Sequence, residues 1–443
     1  SAAKTSETNS KTSETNSAAS ASSAAASLAA AQQLTSVPYE AAPFPDVWAP
    51  LNDDLRLLAG SAPYDKLTIS GQVLELPSKS LSFARASTAT YIDKSGVLRI
   101  AAINEPRFEK EGLLIEGQST NLALYSSPTQ IYSSYFRNSA NNTRDFRPEG
   151  GVLFTTTTDK GAWWEQNLNV ANYDPTKPAA LSCYLEFPAD AKVRMMLMRY
   201  SSEGDIAAET ITATPGINKL SVPVVGGTEK QRLGLRITAD AGTPANSVIL
   251  IDRMQIEDSP QATSYIPTNG SAVTRAADDC TLQRSGNDNW WGPITFSMEV
   301  HCNGITDPKG TTDGRRGILS FYPSSTEYAM IWVEGAAASL GKFLFSYGPT
   351  ISNTFNQRVD DDAIHQLVAV TDTSKNKVCV DGVFSTSPTP ISRPAPGTVG
   401  TTNSIIYIGR SLPSLGGRVL NGHIRNLRIW HRTLTDNQIK GLR

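Results

Sequence analysis

The chain has 443 residues and a formal net charge of −2, from 40 Lys and Arg against 42 Asp and Glu. That length exceeds one ordinary core, so two or three domains are expected, and the balanced charge gives no broad basic field for nucleic acid or an anionic membrane. No apolar run approaches the ~18 to 20 residues of a membrane span, and the polar start lacks a signal-peptide apolar region, so a soluble chain is expected.

Two identical seven-residue words open the chain, Lys4 to Ser10 and Lys11 to Ser17, and lead into an Ala/Ser tract that runs to about Gln33. A seven-residue period returns one face of a helix to a partner helix, so residues 1–35 read as a helical stalk made with other copies of the chain. From Ser1 to Gln33, Leu28 is the one large aliphatic residue. A seam of Ala, Ser, Thr and Asn buries little area, and on composition alone a weak bundle and a disordered linker stand level. Because the chain opens on Ser1 in the middle of a repeat-like phrase, it is expected to be the distal fragment of a longer polypeptide.

Pro38, Pro43, Pro45 and Pro50 end any helix and mark residues 36–75 as an extended connector. From Leu67 onward brief apolar runs alternate with turn residues, the pattern of an all-β sandwich or jelly roll, assigned here to residues 76–270. Within it Leu181, Cys183, Leu185 and Phe187 should face a core, leaving Tyr184 and Glu186 on the other side. The same alternation turns Arg232 and Arg236 away from Leu233 and Leu235, and separates Trp163, Glu165 and Asn167 from Trp164, Leu168 and Val170. If these polar faces share one sheet, Trp163, Tyr184, Glu186, Arg232 and Arg236 form an aromatic and charged patch.

Residues 271–289 read as a junction, with Trp290-Trp291 as its plug, and residues 290–443 as a second sandwich. Its expected strands are 294–300, 317–321, 328–333, 342–347, 365–371, 377–381, 405–408 and 423–430. A terminal helix, 435–442, begins at Thr435 with Gln438 as its capping-box partner. The expected fold class is therefore mainly all-β, two sandwich or jelly-roll domains behind a short helical trimeric stalk.

Catalytic signals are weak. The four cysteines, Cys183, Cys280, Cys302 and Cys379, lack metal or redox spacing and read as buried free thiols. His301, His365, His423 and His431 accompany no nucleophile-elbow motif and no metal-ligand spacing. Asp360-Asp361-Asp362 reads as a solvated turn before a strand, with a calcium site as the alternative; otherwise no cofactor is expected. Binding suits the composition better, since a sugar site pairs an aromatic platform with fork-shaped donors and carboxylates. The second sandwich offers Tyr328, Tyr347 and Arg358 for this, whereas Trp332 lies in a run apolar on both faces and reads as core.

Several phrases resemble known proteins. The Lys-Thr-Ser-Glu-Thr-Asn words and the Ala/Ser tract resemble stalk repeats of side-tail-fibre proteins of tailed bacteriophages of enteric bacteria. The stretch from Phe83 to Tyr91, then Asn104 to Arg107 and Gly112 to Leu122, is similar to a block of phage fibre and tailspike proteins. There a carbohydrate-binding-module-like jelly roll follows, closed by a phrase matched here by Met254 to Glu257, Ala262 to Thr268 and Val273 to Asp278. Residues from about Trp290 to Arg443 are similar to concanavalin-like, laminin-G-like domains, with Gly422 to Trp430 as the signature.

The resemblance implies a homotrimeric distal tail fibre of a virion, made in the host cytoplasm. Through an N-terminal extension it would join other tail proteins, and it would attach to a bacterial surface glycan or outer-membrane protein. Neither nucleic acid nor membrane insertion is implied, and no catalytic role. A polysaccharide depolymerase and a structural spacer or trimerisation element are the alternatives.

Overall fold

The structure, a computed structural model, describes residues 11–18, 20–21, 40–61, 64–69, 72–77, 81–129, 136–167, 179–201, 204–222, 232–257, 259, 261–289, 292–302, 315–321, 329–335, 341–347, 351–372, 375–385, 389–390, 405–411 and 418–442. The chain forms two compact units, Ser1–Phe44 with Leu434–Arg443, and Pro45–Thr433. In the first, residues 11–18 are helical and exposed throughout, so this helix buries no face within its own chain. The terminal helix Asp436–Lys440 carries the expected capping box: Thr435 accepts from the Gln438 amide, and the Gln438 side chain accepts from the Thr435 amide. Thr435 Oγ1 also donates to Glu40 Oε2 at 2.6 Å.

The second unit contains two antiparallel sandwiches. In the C-terminal one, a nine-stranded sheet runs Val383–Phe384, Lys375–Val380, Ile364–Thr371, Ile294–Cys302, Gly422–Trp430, Gly112–Ile115, Arg107–Glu109, with Val47–Ala49 also on Gly422–Trp430 and Thr389–Pro390 on Lys375–Val380. Its partner sheet runs Ile351–Arg358, Lys342–Tyr347, Ala329–Val333, Arg316–Phe321, Ile405–Ile408, Asp279–Gln283, Ser82–Ala84. Phe296, Met298, Ile331, Phe343, Phe345, Val368 and Ile429 are buried between or beneath these sheets.

The other sandwich is inserted into this one. Its five-stranded sheet runs Phe136–Asn138, Ala162–Asn167, Arg232–Ala239, Val193–Ser201, Gly204–Thr212, and faces a seven-stranded sheet with Asn142–Phe146, Val152–Thr156, Val248–Glu257, Ala179–Glu186 and Gly216–Val222 along its main path. Ser119–Asn121 joins that sheet on Val248–Glu257, and Val273–Arg275 pairs with Ser119–Asn121, so chain entry and exit lie side by side. The core is built on Trp164, Leu181, Cys183, Leu185, Met195, Leu235 and Ile237, with Trp164 stacked on Phe136 at 5.1 Å.

The jelly-roll segment assigned to residues 76–270 therefore divides in two. Ser82–Ala84, Arg107–Glu109 and Gly112–Ile115 complete the C-terminal sandwich, and Leu81, Leu113 and Ile115 belong to its core together with Val47, Ala49 and Leu51 from the expected connector. The physical reason is non-local: these short strands dock on edges supplied far later in the chain, Ser82–Ala84 on Asp279–Gln283 and Gly112–Ile115 on Gly422–Trp430, as in Leu114 opposite His423. Gly112 makes the docking possible, since at φ 127° a Cβ there would meet the Ile424 carbonyl at 2.7 Å.

Candidate functional site

The phrases that carry the fibre resemblance converge on a buried polar joint between the two sandwiches. Arg85, Arg107, Glu116, Arg275 and Asp278 are each at most 1% exposed. Asp278 accepts from Arg85 at 3.1 Å, from Arg107 at 2.6 Å and from the Glu116 amide at 2.8 Å. Glu116 accepts from Ser264 through both its amide (2.7 Å) and its hydroxyl (2.6 Å), and pairs with Arg107 at 2.8 Å. Burial pushes the Glu116 carboxyl up, but Arg275 and Arg107 outweigh it and hold the group well below the ordinary carboxylate range. A second knot, Ser119, Gln255 and Thr263 around Glu257, is buried beside it. Both carboxylates of this joint are saturated by internal donors, and of its guanidinium nitrogens Arg107 Nε and Arg275 Nε are left without a partner among the described residues, so its role is to weld the sandwiches.

Directly over the joint lies a cleft of about 260 Å³. One wall comes from the inserted sandwich: Ser182, Tyr184, Ile217, Lys219 and Arg253; the other comes from the C-terminal sandwich and its hairpins: Tyr91, Glu109, Glu111, His301, Asp362 and His423. Arg253 reaches the cleft through a β-bulge. Between Ser182 and Tyr184 the register on Val248–Glu257 advances from Gln255 to Asp252, one residue too many, and Arg253 takes φ 51°. That extra residue re-aims the side chain, and its guanidinium lies over the Tyr184 ring, 4.5 Å from the centroid. Tyr265 lines the cleft with its hydroxyl on Ser126 at 2.7 Å, and burial lifts its phenol to about 12.

Facing the tyrosine is a chain of hydrogen bonds. Glu109 Oε1 accepts from the Ile92 amide at 2.7 Å, and its Oε2 lies 2.9 Å from His423 Nε2. His423 Nδ1 meets His301 Nδ1 at 3.0 Å, and His301 Nε2 lies 3.1 Å from the Asp362 carbonyl. The two rings meet because His301 and His423 are register partners on adjacent strands. Burial and the neighbouring His423 hold His301 below the ordinary imidazole value. Chemically, the cleft walls offer an aromatic face, two cationic donors, and the carboxylates of Glu109, Glu111 and Asp362.

The sequence-predicted patch does not form as one surface. Tyr184 and Glu186 lie on Ala179–Glu186 in the seven-stranded sheet, whereas Trp163, Arg232 and Arg236 belong to the five-stranded one. Only Tyr184 reaches the cleft; Glu186 is exposed elsewhere on its strand. Trp163 and Arg236 do meet, the guanidinium 4.4 Å from the ring centroid. Arg236 and Arg137 together clamp Glu165, at 2.7 and 2.8 Å, and the expected outward-facing Glu165 is fully buried by them. This patch is thus closed on itself. The Arg232 and Tyr347 side chains, Tyr328, and the Trp290-Trp291 plug lie outside the described residues.

The acidic run also disperses. Asp360 is buried in a two-point pair with Arg358, at 2.8 Å on each oxygen, Asp361 pairs with His365 at 2.8 Å, and Asp362 turns to His301 at 3.2 Å. Three carboxylates engaged by three different side chains do not converge as a calcium site requires. The one group of metal-ligand character among the described residues is instead Glu109, Glu111 and His423. The expected free thiols are found: all four cysteines are buried and unbridged. Trp332, read as core, is 1% exposed.

Residues 278–440 match the family model of the concanavalin A-like lectin/glucanases superfamily. The matched stretch falls on the C-terminal sandwich. No curated protein matches the chain in sequence. Among solved structures, the CBM40 of the Ruminococcus gnavus IT-sialidase bound to α2,3-sialyllactose is 11% identical, with 34% of this chain and 82% of that one covered and a TM-score of 0.26. Domain 4 of AbnA, a GH43 extracellular arabinanase from Geobacillus stearothermophilus in complex with arabinotriose, is 14% identical, covering 41% and 81%, with a TM-score of 0.27. Domains LG4-5 of the mouse laminin alpha1 chain are 12% identical, covering 73% and 92%, with a TM-score of 0.24. Scores this low do not bear on function.

Proposed function

We propose that the chain is a glycan-binding adhesin of a tailed-phage fibre, and that it holds a sugar of the bacterial surface in the cleft between its sandwiches. The observation that carries this reading is the placement of Tyr184 and Arg253 on one wall of a 260 Å³ cavity whose other wall holds Glu109 and Glu111. An aromatic face accepts the C–H patch of a sugar ring, while guanidinium, ammonium and carboxylate groups take its hydroxyls. The cavity lies just below the ~300 Å³ at which small-molecule sites begin, a size for a single sugar unit at a chain end or branch. The lectin-like family match supports a carbohydrate partner, and the stalk words and block phrases support the fibre setting.

The same reading makes the protein a homotrimer in the virion, joined to other tail proteins through its stalk. Its support is the tandem heptad and a helix at 11–18 with every face exposed. Three copies of a weak site at one tip gain about 100- to 10,000-fold in apparent affinity when they engage together. In this reading the protein binds without cleaving. A glycan array probed with the full chain, alongside an assay for reducing ends, tests it. Binding without release of ends is the expected result; released ends would establish a depolymerase. Silence on the array together with undiminished host adsorption of phage carrying Tyr184→Ala would leave a spacer role.

A further inference from the structure

We propose, resting on the glycan reading above, that the cleft selects a zwitterionic sugar: one that carries an acidic substituent, carboxylate or phosphate, together with a free ammonium group. The charges that the fold leaves open there point to this class. In the joint beneath, Glu116 and Asp278 are saturated by internal donors. On the cleft walls the pattern is reversed. Among the described residues the Lys219 ammonium and the Glu111 carboxylate make no hydrogen bond, and Arg253 has Asp252 as its one carboxylate partner, 3.7 Å from Nε.

These charges are sorted by wall. Lys219 and Arg253 both belong to the inserted sandwich, on the two strands that flank Ala179–Glu186. Lys219 is the register partner of Ser182 on one side, and Arg253 occupies the bulge between the partners of Ser182 and Tyr184 on the other. Two strand spacings, about 10 Å, separate the flanking backbones. Both long side chains line the cleft, so an anion placed over Ser182 meets a cation from each flank. Ile217, the register partner of Tyr184, is 50% exposed and widens the apolar platform beside the ring.

The opposite wall is acidic. Glu109 is committed to the Ile92 amide and His423, and Asp362 lies on His301. Glu111 carries the open carboxylate, on the turn of the hairpin formed by Arg107–Glu109 and Gly112–Ile115. Among the described residues it forms no ion pair with Lys219 or Arg253 across the cleft. A neutral sugar would cover all three charges without matching them. A purely anionic sugar would be repelled by Glu111, and a purely cationic one by Lys219 and Arg253. A sugar with both charges meets donors on one wall and an acceptor on the other, its acidic group over Ser182 and its ammonium toward the hairpin turn.

The test uses the full chain and four matched probes in ligand-observed NMR titrations at pH 6.5. Glucosamine 6-phosphate carries both charges, N-acetylglucosamine 6-phosphate the anion, glucosamine the cation, and N-acetylglucosamine neither. The doubly charged sugar should bind at least about 10-fold more tightly than either singly charged one. Glu111→Gln should erase the advantage of the free amine and keep that of the phosphate, and Lys219→Gln or Arg253→Gln should do the converse, with unchanged circular dichroism spectra. Replacing the phosphate sugar by 2-amino-2-deoxyglucuronic acid shows which acid the cations take. Equal affinity for charged and neutral sugars, or a preference that Glu111→Gln leaves intact, overturns the charge class. So does silence with all four probes beside host-glycan binding that Tyr184→Ala abolishes, and there the glycan reading survives. Host-glycan binding that Tyr184→Ala leaves unchanged overturns the glycan reading as well.

Discussion

Replacing Asp278 by Ala is the sharpest probe of the joint between the sandwiches. The buried cluster holds three guanidinium groups, Arg85, Arg107 and Arg275, and two carboxylates, Glu116 and Asp278, so its formal charge is 3 − 2 = +1 and rises to +2 in the variant. Asp278 accepts three hydrogen bonds at 2.6 to 3.1 Å from groups that no water reaches. Arg107 keeps Glu116 and the Thr90 carbonyl, but Arg85 is left with only the Ser87 and Ala102 carbonyls. Removing one partner of a buried pair costs about 3–5 kcal/mol, because the survivor remains desolvated and uncompensated. Against a typical domain stability of about 5–15 kcal/mol, that is a large share. Urea unfolding followed by tryptophan fluorescence should show the unfolding free energy falling by this amount. A loss under about 1 kcal/mol would refute the claim that this pairing welds the unit.

Other consequences are direct. Leu113→Ala should cost about 2–5 kcal/mol, since this residue from the expected jelly-roll segment is fully buried in the C-terminal core; chemical denaturation measures it. At His365 burial pulls the imidazole down, but its hydrogen bonds to Asp381 (2.7 Å) and Asp361 (2.8 Å) outweigh it and raise it above 6.5. A base raised in the fold contributes stability that is complete below the ordinary histidine value and is lost as pH rises through the higher one, so His365→Gln should flatten thermal stability across that interval. Burial lifts Cys302 to about 11 and the Cys183 and Cys280 thiols further, so a thiol reagent at pH 8 should label none of these in the native protein and all of them in urea.

What the sequence shows and what it hides divides along contact distance. The capping box at Thr435 and Gln438, the strand Lys342–Tyr347 and the inward set Leu181, Cys183 and Leu185 all depend on neighbours a few residues away, and all are present. The insertion of one sandwich into the other is a matter of pairing between distant segments, such as Phe108 with Leu113 beside Ile424, which periodicity does not encode. The same holds for the site. Tyr184 was legible from alternation, but Arg253 depends on a bulge, and His301 and His423 become a pair only through strand register. Single histidines on separate strands carry no local signal. The block phrases around Arg85, Arg107, Glu116 and Asp278 were visible as a resemblance, and the structure gives them a physical role as a buried joint.

The central claim is that sugar binds in the cleft and not on the Trp163 face. Its most direct measurement is the affinity of purified host-surface glycan for the parent chain, Tyr184→Ala and Trp163→Ala, read by calorimetry. The account predicts that Tyr184→Ala loses at least about 10-fold, or about 1.4 kcal/mol, while Trp163→Ala binds as the parent does. Undiminished binding by Tyr184→Ala with loss in Trp163→Ala would contradict it.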